Sequence, residues 1–282
     1  MTFQYPVNVQ RISLLAKLKL AACVKLICAC FLLLNVQLNV ANANTVSLVG
    51  NKVATYIDEH ELPARQMDLV RAALANLPEA LKLTATTQAW KGSGLKSGKF
   101  IGYYDHYSLN DVKDDYVYSA PYMKVNLHIV SRYQRAENII RLEQMYRERV
   151  GIENRFANTD VLRAERDVSW ARAPSFFDVI KQLAEDRVDF LLVDKRMIDE
   201  MNILLASVGE KPVYISKQAI VQVDVSLAIQ KANAEANKII STFETGISSL
   251  RSNGEYDKLM QTNLQRDSLL DDRIYTDMLR KW

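Results

Sequence analysis

Cysteine is confined to the stretch before residue 31: Cys23, Cys28 and Cys30 are the only three in a chain of 282 residues. Everything after them offers neither a disulfide framework nor a thiolate metal site. Histidine is as scarce, and His60, His106 and His128 lie far apart, outside any acid–His–nucleophile pattern. No GxGxxG, P-loop, HExxH or GxSxG occurs, so no motif argues for an enzyme, and no cofactor or metal is implied. Long apolar runs are missing too. Leu26 to Val40 is fifteen residues interrupted by Asn35, Gln37 and Asn39, against the roughly twenty that a membrane span requires.

That short run has a different reading. Before it stand Arg11, Lys17, Lys19 and Lys25 with no acid, and after it comes Ala41-Asn42-Ala43. A basic region, an apolar region and an A-x-A site make a signal peptide, and residues 1–43 are expected to be cleaved after Ala43. Leu20-Ala21-Ala22-Cys23 also resembles a lipobox, but the longer apolar run follows that cysteine. Removing the signal leaves 32 of the 36 basic residues against all 33 acids, a net charge of −1 in place of +3. The basicity is thus a targeting feature, and nothing points to nucleic acid. With 49% hydrophobic and 24% charged residues, the exported chain is a folded globular protein rather than a disordered one.

Strand-like and helical patterns alternate along it, which favours α/β architecture. Thr45 to Val49 and Val53 to Ile57 are β-rich runs around Gly50, followed by the polar Asp58-Glu59-His60-Glu61. Met67, Val70, Ala73, Leu74 and Leu77 recur at helical spacing between Pro63 and Pro78. Asn126 to Val130 reads as a strand, and Ala136 to Arg149 as a charged helical or turn segment. Thr159 is placed to N-cap a helix through Val161 and Leu162. Ser175 with Asp178 opens a capping box ahead of the stripe Phe176, Phe177, Val179, Ile180 and Leu183. Val213 to Ser216 is a strand, and Val221, Val223, Val225, Leu227 and Ile229 alternate strictly. Ala236 to Leu250 is a long amphipathic helix ending near Gly254.

Three motifs occur in a telling order. Leu95 with Gly98-Lys99 closes a helix before a strand; Tyr118-Ser119-Ala120-Pro121-Tyr122 follows; and Leu183 to Asp194 reads L-x-x-x-R-x-D-x-x-x-x-D. Over roughly residues 90–255 the chain resembles solute-binding family 3, the amino-acid-type periplasmic receptors of ABC importers. These carry L-x-x-G-K, F/Y-S-x-P-Y, a V-G-V strand matched by Val150-Gly151-Ile152, and L-x-x-G-R-x-D-x-x-x-x-D. Here the last motif has Asp186 where the family has Gly, and Arg155-Phe156-Ala157-Asn158 replaces a Gly-Thr or Gly-Ser turn.

The resemblance implies a two-lobed periplasmic-binding-protein fold of type II with two hinge strands near residues 124–131 and 219–228. Residues 44–127 would begin lobe 1, 128–222 would form lobe 2, and 223–282 would return to lobe 1 and end in a C-terminal helix. It implies a ligand-facing loop, Tyr103 to Ser108, so Tyr103, Tyr104, Asp105 and Tyr107 become one wall of a cleft, with Ser119 and Tyr122 at its mouth. Arg155, Thr159 and Asp194 face them from lobe 2. In the family the last of these takes the ligand's amino group; read from the sequence, Asp194 is equally a cap for the helix after it. The family's carboxylate-gripping Arg lies seven residues before the Ser of F-S-x-P-Y, which is Val112 here, beside Lys113. The expected protein is a monomeric periplasmic binder of a small polar solute that delivers it to an inner-membrane ABC permease. A sensory module feeding a membrane partner, and a dehydratase-type enzyme on the same fold, are the alternatives.

Overall fold

A computed structural model describes residues 45–58, 64–157, 159–261, 272–280 and 282. The expected signal peptide, Glu59 to Glu61, Pro63, Asn158 and much of the segment from Arg266 lie outside the described residues. The order of elements is β1 (Val46–Asn51), α1 (Arg65–Ala73), β2 (Leu81–Thr86), α2 (Gln88–Lys96), β3 (Gly102–Tyr107), β4 (Tyr116–Tyr118) and β5 (Met123–Ser131). Two short 3₁₀ turns follow (Gln134–Asn138 and Leu142–Met145), then β6 (Arg149–Glu153), the one-turn α3 (Asn154–Ala157), α4 (Asp160–Ala164), β7 (Ser169–Ala173), α5 (Phe176–Ala184) and β8 (Phe190–Asp194). The chain continues through α6 (Lys195–Ser207), β9 (Tyr214–Ile215), β10 (Val221–Gln230), α7 (Ala236–Ser252), α8 (Glu255–Met260) and α9 (Asp272–Leu279).

The strands line up as β2-β1-β3-β10-β5-β8-β6-β7, with β4 beside β10 and β9 beside β5. Each end of this sheet is a parallel set: β2, β1 and β3 on one side, β8, β6 and β7 on the other. Parallel neighbours need crossover connections, which the helices supply. Between the two sets, β10 and β5 pair antiparallel with each other and with their outer neighbours. They are the two strands on which the β1–β3 half and the β6–β8 half meet. The period-two pattern of β10 holds over Val221–Val225 and then gives way to residues buried on both faces, as expected at the centre of a covered sheet.

Local choices in the sequence explain the element ends. Ser175 caps α5 by accepting from the Asp178 N–H (3.2 Å), and Gly98 takes the left-handed conformation (φ 73°) that ends α2. Asp186, where the family motif has Gly, sits at φ 54°. Asp tolerates that region better than most residues. Val53 and Ile57 form a bridge across a tight turn rather than a strand, with Thr55 at φ 63°. Thr159 stands at the N-cap of α4, but its hydroxyl donates back to the Phe156 carbonyl (2.9 Å) instead of accepting from the helix. The C-terminal α9 packs on α5 and α6, with Tyr275 edge-on to Phe177.

Helix α7 lies on α1 closely enough that a methyl at Gly246 would stand 2.0 Å from the Ala73 carbonyl oxygen. Backbone cannot yield as a side chain can, so Gly246→Ala should destabilise the fold by about 1–3 kcal/mol. Urea denaturation would measure it; an unchanged midpoint would show that the two helices do not approach this closely.

Candidate functional site

Residues 103–107 form strand β3, every residue of it buried, rather than the loop that the sequence suggested. The physical reason is its place: β3 lies between β1 and β10 with both faces covered, so alternating polarity, the usual mark of a strand, is absent. Its register against β10 also slips. His106 pairs with Ser226 and Tyr103 with Ala228, so Tyr104 and Asp105 together oppose Leu227. Such a bulge re-aims side chains, and it decides where the tyrosines go.

Tyr103 packs edge-on to Tyr116 (5.1 Å) in a small cluster with Val49, Phe100 and Ala228, beneath the Lys91 ammonium (4.5 Å). Tyr104 is wholly buried, donates to the Thr84 carbonyl (3.2 Å), and lies where a side chain at Gly50 would collide with its ring. Asp105 pairs with Lys91 and accepts from the Asn51 N–H (2.9 Å). Tyr122 packs on Phe243 and bonds to Tyr104 O and Gln66. Ser119 binds β10 through the Leu227 N–H (3.0 Å). These five hold the β1–β3 half together.

Tyr107 behaves differently. Its hydroxyl accepts from Arg155 Nη1 (3.1 Å), across from the β6–β8 half. Arg155 follows β6 on the single turn of α3, where Glu153 grips its guanidinium in two bonds (3.1 and 2.9 Å) and the Phe156 ring lies 4.3 Å beneath it. A planar fork on a carboxylate is the strongest pairing the side-chain repertoire offers. Burial alone would make Arg155 easier to deprotonate, but the Glu153 carboxylate more than reverses that.

Asp194 is the helix cap that the sequence allowed, and its second oxygen meets the other half of the molecule. One carboxylate oxygen caps α6 through the Arg196 N–H (3.1 Å), and the other accepts from the Tyr56 hydroxyl of the β1–β3 half (2.5 Å). Burial, and then the Asp194 charge, push the Tyr56 phenol well above its ordinary range. The sequence reading missed Tyr56, Arg65 and Glu200. Arg65 on α1 and Glu200 on α6 form an ion pair with side-chain exposures of 1% and 0%, and Arg65 also donates to Thr55 (2.7 Å). The two are 135 positions apart, and each sits on an amphipathic helix where a charged residue reads as solvent-facing. A seam between the halves is therefore lined by Tyr56, Arg65 and Tyr107 on one side and Arg155, Asp194 and Glu200 on the other.

Burial raises Tyr107 from 10.0 to about 12, with Arg155 opposing. Its folded-state pKa exceeds the unfolded one, so the stability tied to its neutral form is complete below about pH 10 and lost as pH rises towards 12. Tyr107→Phe should lose less stability than the natural chain across that window. Unfolding midpoints read with phenolate absorbance would check it, and equal losses would contradict the assignment.

No family model and no curated protein matches the sequence. Solved structures match the fold. The ligand-binding core of GluR0 in complex with L-glutamate aligns at TM-score 0.63 and 7% identity, over 78% of this chain and 100% of that one. An amino acid ABC transporter substrate-binding protein, AbpA from Streptococcus pneumoniae bound to L-arginine, aligns at 0.58 and 13%, over 84% and 95%. A histidine kinase sensor domain with similarity to periplasmic binding proteins aligns at 0.59 and 19%, over 77% and 94%. At such identities the likeness speaks for architecture, and the chain has the two-lobed periplasmic-binding-protein fold seen in the amino-acid-type solute-binding proteins.

Proposed function

We propose that this chain is an exported solute-binding protein that takes a small polar solute into the seam between its lobes, with the lobes divided near residues 127 and 222. The observation that carries the reading is convergence. Tyr56 and Tyr107 from the first lobe, and Arg155 and Asp194 from the second, direct polar atoms at one another across the hinge strands β5 and β10. Of the residues proposed from sequence, Tyr107, Arg155 and Asp194 are the ones we retain as solute-facing. Tyr103, Tyr104, Asp105, Ser119, Tyr122 and Thr159 we read as its supporting frame. Delivery to an ABC permease is the leading role, and catalysis is not part of the proposal. The likeness to a kinase sensor domain supports a second reading, solute sensing on behalf of a membrane partner.

Ordinary α-amino acids are not the solutes we propose. Val112, at the register of the family's carboxylate-gripping Arg, is 71% exposed, and Lys113 beside it is exposed too. Three cations near the seam are engaged by carboxylates already: Arg155 by Glu153, Arg65 by Glu200, Lys91 by Asp105. An α-carboxylate thus lacks a ready fork. Two charge-assisted bonds at roughly 1.5–3 kcal/mol each amount to about a hundredfold to ten-thousandfold in affinity. A thermal-shift screen of the twenty amino acids should give no clear stabilisation, while mass spectrometry of small molecules released from the purified protein should identify a solute of another class. A shift that esterifying the α-carboxylate abolishes would overturn this exclusion.

A further inference from the structure

The polar groups that face one another across the seam meet partners on this chain. The Tyr56 hydroxyl donates to Asp194, the Arg65 guanidinium pairs with Glu200, and the Arg155 guanidinium donates to Tyr107. A fourth crossing lies nearer the surface, from Arg196 Nη1 to the Met260 carbonyl (3.1 Å). Tyr56, Arg65, Tyr107, Asp194 and Glu200 are each at most 2% exposed.

Arg155 differs from the rest in how much of a site surrounds it. Glu153 holds Nε and Nη2, Tyr107 receives Nη1, the Phe156 ring lies under the guanidinium, and Met197 Sδ stands 3.7 Å from Nη2. A carboxylate, a phenol and an aromatic face around a planar cation are what a receptor for a guanidinium ligand would present. Here the cation is tethered to the second lobe and reaches to the first.

We infer that Arg155 is an internal ligand: its guanidinium occupies the interlobe site and, with Tyr56–Asp194 and Arg65–Glu200, latches the lobes shut without any solute. The inference rests on the seam being the place a solute would enter. It adds that a solute must compete with the chain's own side chains, and that closure does not report occupancy by itself. A closed state held by such contacts is a populated conformer that a solute can only bias by its differential affinity.

Two experiments without solute test the latch. Small-angle scattering of the ligand-free natural protein should give the radius of gyration of the closed arrangement, and the double variant Tyr56→Phe/Tyr107→Phe, which removes only two hydroxyls, should give a larger one. A ligand-free protein that scatters as open lobes, or a double variant that scatters as the natural chain does, would overturn it. The second experiment tests the internal ligand. Arg155→Ala leaves the Glu153 and Phe156 cradle in place, so calorimetry should detect saturable binding of methylguanidinium to this variant and none to the natural protein. Equal titrations of the two would overturn the assignment, and if the variant folds poorly, methylguanidinium should raise its melting temperature while methylammonium raises it less. Neither experiment uses the solute, so a failed solute search overturns the proposed function alone and a failed scattering or rescue result overturns the latch alone.

Discussion

A charge withdrawn from water must meet an opposite charge within bonding distance or it destabilises the fold by several kcal/mol, and the seam between the lobes is built around that constraint. Lys91 with Asp105 settles one pair inside the first lobe; Arg155 with Glu153 settles another inside the second. Among the pairs of the described residues, Arg65 with Glu200 places its two charges on opposite lobes. That pair joins the lobes through charge, while the pairs inside each lobe leave single polar atoms, the Tyr107 hydroxyl and the remaining Asp194 oxygen, to meet partners across the hinge.

The consequence for binding follows from the same constraint. A receptor whose cleft is lined by unpaired polar groups closes because the solute pairs them. Here those groups pair with one another, so the free energy of closure is supplied in part before any solute arrives, and a solute must offer more than the contacts it displaces. Selectivity rises with that competition. It also disfavours solutes that bring an α-carboxylate, since Arg155, Arg65 and Lys91 are held by carboxylates of the chain.

Much of this architecture was legible in the sequence, because local signals there agree with the global fold. Ser175 caps α5 where the capping box placed it, Gly98 turns the chain after α2, and Leu183 to Asp194 runs from helix to buried strand to cap. The alternation that begins at Val221 marked β10 as a strand. Other features depend on distant partners and leave no local trace. The strand Tyr103–Tyr107 reads as the ligand-facing loop that the resemblance implies, since a strand covered on both faces shows no alternation to mark it, and its bulge exists only in register with Leu227. Arg65 and Glu200 carry no local mark, since helical periodicity does not say which charged position a second lobe will cover. The proposal of a missing fork at Val112, by contrast, rests on counting along one segment in the register that the resemblance implies.

The central claim is that the ligand-free lobes are held together by the chain itself, and a distance across the seam measures it most directly. Residues 44–282 contain no cysteine, so spin labels at Lys96→Cys on α2 and Lys181→Cys on α5, both exposed positions, report on the two lobes without interference. Pulsed dipolar spectroscopy of the protein free of solute should give one narrow distance distribution, matching the closed arrangement. A broad or longer distribution that narrows only when solute is added would contradict the account.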